Sequence, residues 1–176
     1  MTTFLENQKI QYAVIGGIAN QIWGQARFTY DIDIKVLVPD SDYKRLRMTL
    51  TKAFSESGRP DLPTNPLIVS VKVGEIIVDF LLSTPGYEEQ LVKRATHYKF
   101  EDLSLWICTA EDLIIQKAVA GRAKDWQDIE GIVIEQKTKL NQNYLEDWLS
   151  QFAEVLDSPD IFNHYRTIWQ LVKASK

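Results

Sequence analysis

The segment TYDIDIKVLV, residues 29–38, sets carboxylates into a run that otherwise reads as a β-strand. Its charged side chains Asp31, Asp33 and Lys35 alternate with apolar ones, Ile32, Ile34 and Val36. Aspartate is a poor strand former, and like charges on one strand face repel. Side chains two residues apart on a strand project to the same side, with Cα atoms about 6.6 Å apart. The pattern therefore predicts that Asp31 and Asp33 converge on one site.

A third carboxylate lies in the later run IIVDFLL, in which Asp79 is the only polar residue. An unpaired buried carboxylate is costly and requires a partner. Three inward carboxylates cannot pair with one another, whereas one or two divalent cations neutralise all three, and Mg²⁺ suits oxygen ligands that leave room for phosphates. We therefore expect Asp31, Asp33 and Asp79 to bind Mg²⁺ or Mn²⁺. The structural alternatives are a solvated strand edge for the pair and an arginine partner for Asp79.

A glycine pair, Gly16-Gly17, stands between the predicted strand QYAVI and the predicted helix IANQIWGQA. Glycine at this point lets the backbone turn sharply and lets N–H groups approach an anion, helped by the helix N-terminus. A plain strand-to-helix turn would also account for the pair. Together with the three carboxylates, the pair strengthens the interpretation as a metal site.

The rest of the pattern predicts an α/β half followed by a helical half. A β-hairpin is predicted over 67–83, turning at Gly74-Glu75, after a proline-rich loop at 58–66. From Thr109 the apolar spacing is helical, and helices are expected at about 110–121, 125–137, 144–156 and 160–173. We expect an α+β fold in which a small mixed β-sheet core flanked by helices (1–108) carries a helical part packed on it (109–176), as a single compact unit.

Charge and composition narrow the classes of function. With a net charge of −4, the chain shows no long basic footprint for nucleic acid. Its apolar runs are too short to span a bilayer and its beginning has no signal-peptide pattern, so no membrane role is expected. A lone cysteine, Cys108, fits a reducing, cytoplasmic setting. His97 and His164 are given no role, and the five tryptophans are predicted to pack in the core.

The order of strand, glycine pair, helix, DxD strand and later strand carboxylate resembles the polymerase-β-like nucleotidyltransferase superfamily. Within that superfamily, RFTYDIDI (27–34) and EDLIIQKAVAGRAKDWQDI (111–129) look like the AbiEii-type toxin nucleotidyltransferases and their relatives. Those relatives often carry R-x-T-x-D-[IV]-D and E-D-L-x-x-x-K-x-x-A-x-R-x-K-D-x-x-D. The resemblance covers about residues 10–133 and leaves the last forty residues unassigned.

This resemblance implies Mg²⁺-dependent transfer of a nucleotidyl group from an NTP to an acceptor hydroxyl, with release of pyrophosphate. Asp31 and Asp33 would be metal ligands, and Asp79 would bind the second metal and assist deprotonation of the acceptor. Gly16 and Gly17 would hold the triphosphate against the following helix. Two metals about 4 Å apart would neutralise charge on both the attacking and the leaving oxygens of such a displacement.

The second motif supplies further candidates. Lys117 lies among apolar residues of a predicted helix, so we expect its charge to point inward, towards phosphates, and to act in catalysis; the alternative is a snorkelling surface lysine. One continuous helix would align Lys117, Lys124 and Asp128, unless Gly121 or the segment before Asp125 interrupts it.

Four of the remaining candidates have two interpretations each. Arg122 and Lys124 are expected to contact phosphate or acceptor, or else to form a solvated face. Asp125 and Asp128 are expected to support the site, or else to act as a helix cap and as the ion-pair partner of Lys124. Near the DxD strand, Arg27 is expected to contact the phosphates of the NTP or else a carboxylate, and Thr29 is expected to contact the NTP at the same site.

The sequence does not identify the acceptor, so several functions stay open. The first expectation is an active nucleotidyltransferase modifying a tRNA 3′ end, toxin-like, with a cognate antitoxin as partner. Alternatives are a small-molecule acceptor, as in antibiotic nucleotidyltransferases, or a protein acceptor. A non-catalytic toxin–antitoxin component of the same fold is disfavoured because all three carboxylates are present.

Overall fold

The computed structural model describes residues 1–54, 65–101 and 103–174. Most of the predicted loop at 58–66 lies outside these ranges. The helices and strands, in chain order, are α1 (Thr2–Asn7), β1 (Tyr12–Ile15), α2 (Gly16–Trp23), β2 (Asp31–Val36), α3 (Tyr43–Ala53), β3 (Ile68–Val73), β4 (Ile76–Leu82), α4 (Tyr87–Arg94), β5 (Thr96–Phe100), β6 (Leu103–Ile107), α5 (Ala110–Ala120), α6 (Ala123–Gln136), α7 (Gln142–Val155) and α8 (Asp160–Ala174).

The chain divides into two compact units. The sheet unit comprises Met1–Ile18 and Phe28–Cys108, and the helical unit comprises Ala19–Arg27 and Thr109–Lys176. The first turn of α2 thus belongs to the sheet unit and the rest of that helix to the helical unit. The predicted α+β class, with a mixed sheet followed by a helical part, is confirmed.

The sheet unit is built on six strands in the order β3-β4-β2-β1-β6-β5. The sheet is mixed, since β2 pairs with β4 and β1 with β6 in parallel, while β1–β2, β3–β4 and β5–β6 are antiparallel. The predicted hairpin is confirmed: β3 and β4 turn at Gly74, whose φ of +61° favours glycine. Apolar strand residues fill the core of the sheet unit, among them Val14, Ile34, Val36, Val71 and Phe80.

In the helical unit, Thr109 caps α5 by accepting a hydrogen bond from the Asp112 N–H, and Gly121 ends that helix in the left-handed conformation, with φ +64°. Helices α5, α6, α7 and α8 share a buried apolar core, which includes Leu113, Ile129, Ile132, Leu145 and Leu149. Within the residues that the structure describes, every helix is too short or too polar to cross a membrane.

The prediction that all five tryptophans pack in the core is wrong. Trp106 is 41% exposed, and Trp23, Trp126, Trp148 and Trp169 are only half-buried. Trp106 lies on β6, and the other four lie on helices. Helical spacing identifies the inward side of a helix, but a ring as large as indole at the margin of that side stays partly in water.

Candidate active site

The three strand carboxylates lie on two adjacent, parallel strands. In the register of β2 with β4, Asp33 is directly paired with Asp79, and Asp31 lies two residues earlier on β2. Neighbouring strands are about 4.8 Å apart, and paired residues project to the same face of the sheet. Asp79 is 9% exposed, whereas Asp31 and Asp33 are half-buried. The structure therefore brings the three carboxylates to one face, with Asp33 beside Asp79.

Ser70 orients the Asp79 carboxylate. The antiparallel pairing of β3 with β4 sets Ser70 opposite Asp79. The Ser70 hydroxyl donates a hydrogen bond of 2.6 Å to Oδ1 of Asp79, and both residues are buried. Sequence reasoning missed Ser70, although a two-residue turn at Gly74-Glu75 implies this pairing by counting outwards along the hairpin.

The glycine pair lies against the DxD segment. A Cβ atom at Gly16 would be 2.1 Å from Oδ2 of Asp33, and one at Gly17 would be 2.5 Å from Oγ1 of Thr29. Gly16 also has a φ of +63°. Thr29 in turn donates from Oγ1 to Oδ1 of Asp31 at 3.1 Å. The absence of side chains at the start of α2 thus lets Asp33 and Thr29 approach the backbone closely.

The donor chemistry of this face suits a hard divalent cation, because all three side chains offer carboxylate oxygens. As these side chains are placed, however, the described residues contain no group of three or more His, Cys, Asp or Glu arranged to hold a metal ion. Joint ligation of one ion by the three aspartates would therefore require rotation about their side-chain bonds. Asp31 and Asp79 can still bind a cation while they accept hydrogen bonds from Thr29 and Ser70, since a carboxylate has about four acceptor positions.

Lys35, on the same strand as Asp31 and Asp33, is buried and forms an ion pair with Glu88 of α4. Glu88 also accepts hydrogen bonds from the N–H and the hydroxyl of Thr84. Burial by itself would raise the pKa of Glu88, but the Lys35 charge and these hydrogen bonds outweigh it and lower the pKa below its ordinary value. This pair is a second structural contact that sequence reasoning missed.

Within the helical unit, Asp128 of α6 accepts hydrogen bonds from three side chains. Lys117 Nζ donates to Oδ2 at 2.6 Å, and Arg27 donates from Nε and Nη2 to the two carboxylate oxygens at 2.8 Å each. The Asn20 amide adds a bond of 3.3 Å to Oδ1. Burial opposes the charge of Asp128, yet the bonds from Arg27 and Lys117 outweigh it and hold its pKa below the ordinary value.

The break at Gly121 separates the candidates of the second motif. Because α5 ends there, Lys117 and Asp128 lie on different helices, so the alignment along one continuous helix does not occur. Arg122 donates from Nε and Nη2 to Asp125 at 2.6 and 3.1 Å, and its backbone N–H reaches the same carboxylate at 3.3 Å. Asp125 thereby caps the start of α6, as its structural alternative predicted.

The predicted roles of these residues towards substrate stay predictions. Lys117 is only 6% exposed and its charge does point inward, but its partner is Asp128, with Asp125 Oδ1 at 3.9 Å. Asp128 thus pairs with Lys117 and Arg27, not with Lys124 as the alternative proposed. Lys124 is exposed.

A glycine-started helix against a DxD strand, with a third carboxylate on the parallel neighbour, defines the polymerase-β-like nucleotidyltransferase class. Residues 2–175 match the family described as "Nucleotidyltransferase of unknown function (DUF6036)". The chain belongs to this family and is a nucleotidyltransferase. Kinship with the AbiEii-type toxins in particular stays a prediction. None of the curated proteins matches the chain in sequence.

Solved structures with a similar fold share little sequence with this chain. An antigenic nucleotidyltransferase-like protein from Paracoccidioides brasiliensis superposes with a TM-score of 0.55 at 18% identity, covering 94% of this chain and 88% of that one. The antibiotic-resistance factor ANT(2'')-Ia in solution gives a TM-score of 0.54 at 12% identity, covering 92% and 91%. Its crystal structure with adenylyl-2''-tobramycin gives 0.51 at 13%, covering 86% and 92%. At these identities the likeness establishes the fold.

Proposed function

We propose that this nucleotidyltransferase moves an NMP group from an NTP to a hydroxyl of a small-molecule acceptor, with Mg²⁺ or Mn²⁺ as cofactor. The observation that carries the proposal is the direct pairing of Asp33 with Asp79 on parallel strands, next to the glycine turn that begins α2. Carboxylates on adjacent strands form a rigid frame, which suits chemistry that depends on positioning charge.

The reaction is an in-line displacement at the α-phosphorus of the NTP. The acceptor oxygen forms a bond to phosphorus, the bond from phosphorus to the oxygen bridging the β-phosphate breaks, and pyrophosphate leaves with that electron pair. The hydroxyl proton passes to Asp79, whose carboxylate Ser70 orients through Oδ1. The backbone N–H groups at Gly16 and Gly17 bind the triphosphate at the positive end of α2.

Asp31, Asp33 and Asp79 are the residues that would hold the cation. When bound, a divalent cation supplies charge neutralisation on the attacking and leaving oxygens. Thr29 holds Asp31 through its hydroxyl and so limits the directions in which this carboxylate can point.

A small acceptor is favoured over tRNA by two observations. The chain has a net charge of −4, while binding to a tRNA phosphate backbone is supplied mainly by lysine and arginine clusters. The fold also matches nearly the whole length of ANT(2'')-Ia, a protein solved with adenylyl-2''-tobramycin. A tRNA 3′ end, with a toxin role and a cognate antitoxin, is the second candidate, supported by the resemblance of RFTYDIDI to the toxin relatives.

The test is a screen with the four α-labelled NTPs and Mg²⁺ against hydroxylated antibiotics, including tobramycin, and against total tRNA and protein. We expect label on a small acceptor and a loss of at least about 100-fold in Asp33→Asn and Asp79→Asn, because each removes a charge needed in the transition state. Asp147→Asn, an exposed substitution on α7, is the matched control and should keep full activity.

Binding gives an independent measurement. Mg²⁺ with a non-hydrolysable ATP analogue should raise the melting temperature of the unmutated protein, because a ligand that binds only the folded state stabilises it. The melting temperature of Asp33→Asn should stay nearly unchanged, because this variant lacks one of the carboxylates proposed to hold the cation. Labelling of tRNA alone would replace the small acceptor with the second candidate. Equal labelling by Asp33→Asn and the native protein would remove the assignment of the carboxylate face.

A further inference from the structure

The helical unit contains a cavity of about 600 Å³ that none of the predicted site residues lines. Its walls come from the end of α5, the start of α6, the α7–α8 connection and α8, and its principal side chains are Trp126, Leu156, Asp160, Asn163 and His164. Sites for small molecules in proteins measure about 300–1,000 Å³. The cavity is therefore large enough for one small organic molecule.

Two stacked rings form one wall. Trp126 of α6 and His164 of α8 lie with ring centroids 4.1 Å apart and an interplanar angle of 21°. The same two rings, with Thr167, also line a smaller cavity of about 300 Å³. The stacked pair thus stands between two cavities and presents aromatic surface to both. An indole face carries partial negative charge and is the best aromatic partner for a cation.

The charge of the lining has one sign. Asp160 lies in the larger cavity and Glu130 in the smaller, and the described lining residues of both include no lysine or arginine. Among the residues that the structure describes, the side chains of Asp160, Asn163 and His164 make no hydrogen bond or ion pair with one another or with a neighbour. A cationic ligand would find a carboxylate as its counter-charge here, whereas an anion would meet no lysine or arginine among the described lining residues.

Apolar surface lies beside these polar groups. Leu156, at the end of α7, is 49% exposed, and Val119, near the end of α5, is 36% exposed; both line the larger cavity. Covering such side chains contributes about 25 cal/mol per Å² of apolar surface removed from water. A ligand that combines a positive charge with an apolar body would use both parts of the lining.

We propose that this cavity is a binding site for a small organic cation, an amine or quaternary ammonium joined to an apolar or planar group. Trp126 contacts the cation through the ring face that His164 does not cover, Asp160 supplies the opposite charge, and Leu156 with Val119 covers the apolar part. This site does not depend on nucleotidyl transfer, so its occupancy is measurable on the protein without NTP.

The experiment is isothermal titration of the full chain with benzyltrimethylammonium, with benzyl alcohol as the neutral probe and benzoate as the anionic one. We expect saturable binding of one cation, at least about 10-fold tighter than the alcohol, with benzoate weakest. Asp160→Asn should weaken binding of the cation about 5-fold, the size of a part-exposed ion pair, and leave the alcohol unchanged. Trp126→Phe, which keeps a ring, should also weaken the cation selectively.

Asp157→Asn is the matched control because it removes one carboxylate three residues before Asp160, in the α7–α8 connection and outside the cavity lining, at a φ of +47° that asparagine tolerates. Thermal melts check that each variant folds; Asp160 is exposed, so its substitution decides the outcome even if Trp126→Phe is unstable. No saturable binding of the cation, equal affinity for cation and alcohol, or equal effects of Asp160→Asn and Asp157→Asn would each overturn the proposal.

Discussion

Replacing Gly16 by alanine should lower catalytic activity much more than the accompanying loss of stability would explain. The φ of +63° makes an L-residue cost about 1–2 kcal/mol at this position. The new Cβ would lie 2.1 Å from Oδ2 and 3.0 Å from Cγ of Asp33, far inside contact distance. Because the obstructing atoms are the flexible end of a side chain, we expect the Asp33 carboxylate to move by on the order of 1 Å rather than the helix. A displacement of that size at a reacting centre costs about 100-fold in rate.

Gly74→Ala provides the matched control. Gly74 has a φ of +61°, almost the same as Gly16, and a Cβ there would meet nothing within 4 Å. Urea unfolding should therefore show a similar loss of about 1–2 kcal/mol for both variants. Transfer of label from an α-labelled NTP to the acceptor found in the screen should fall about 100-fold for Gly16→Ala alone. Equal activities of the two variants would refute the placement of Asp33 in the reaction.

Three further predictions concern the contacts around the carboxylates. Ser70→Ala should lower the free energy of unfolding by about 1 kcal/mol and reduce label transfer several-fold, because Asp79 loses a buried hydrogen bond. Asp128→Asn should cost about 3 kcal/mol in urea unfolding, because the buried Lys117 loses its carboxylate. The pKa values of Asp128 and Glu88 are lowered on folding, so their stabilisation is complete above the ordinary carboxyl pKa and is lost as pH falls through the lowered value. Unfolding free energies measured from pH 7 down to pH 3 should decline less steeply in Glu88→Gln than in the native protein.

Each of these has a clear contrary result. Unchanged label transfer in Ser70→Ala would mean that the hydroxyl does not orient Asp79 during the reaction. A loss below about 1 kcal/mol in Asp128→Asn, comparable to that of an exposed ion pair, would mean that Lys117 finds water instead. An unaltered pH slope in Glu88→Gln would remove the Lys35 pair as a source of acid sensitivity.

The sheet face of the site was accessible from sequence because strand alternation and turn position are local properties. Alternation predicts which side Asp31, Asp33 and Asp79 share, and the turn at Gly74-Glu75 pairs Ser70 with Asp79. The parallel pairing of β2 with β4 has no such local signal, since α3 and β3 intervene. The sequence predicted only that the three carboxylates converge, because isolated buried carboxylates need a common source of neutralisation.

The contacts of the second motif were harder to predict because they depend on tertiary structure. Asp128 meets Arg27 across 101 positions of sequence, and nothing in either segment specifies the other. Gly121 was recognised as a break, but the direction in which α6 departs decides that Asp128 faces Lys117 instead of Lys124. The four tryptophans on helices were predicted wrongly for a related reason, since periodicity identifies the buried side of a helix but not how deeply a side chain on it is buried.

The glycine pair illustrates how structure changes the meaning of a motif. From sequence, glycine at 16 and 17 is explained by the approach of phosphate to backbone N–H groups. In the structure, the fold itself requires that neither residue has a side chain, since Asp33 occupies the space beside Gly16 and Thr29 occupies the space beside Gly17. If phosphate access alone required glycine, serine at 17 would disturb NTP binding but leave Asp31 in place. Because Thr29 also holds Asp31, we expect any side chain at 17 to displace that carboxylate as well, so the glycines and the DxD strand act as one unit.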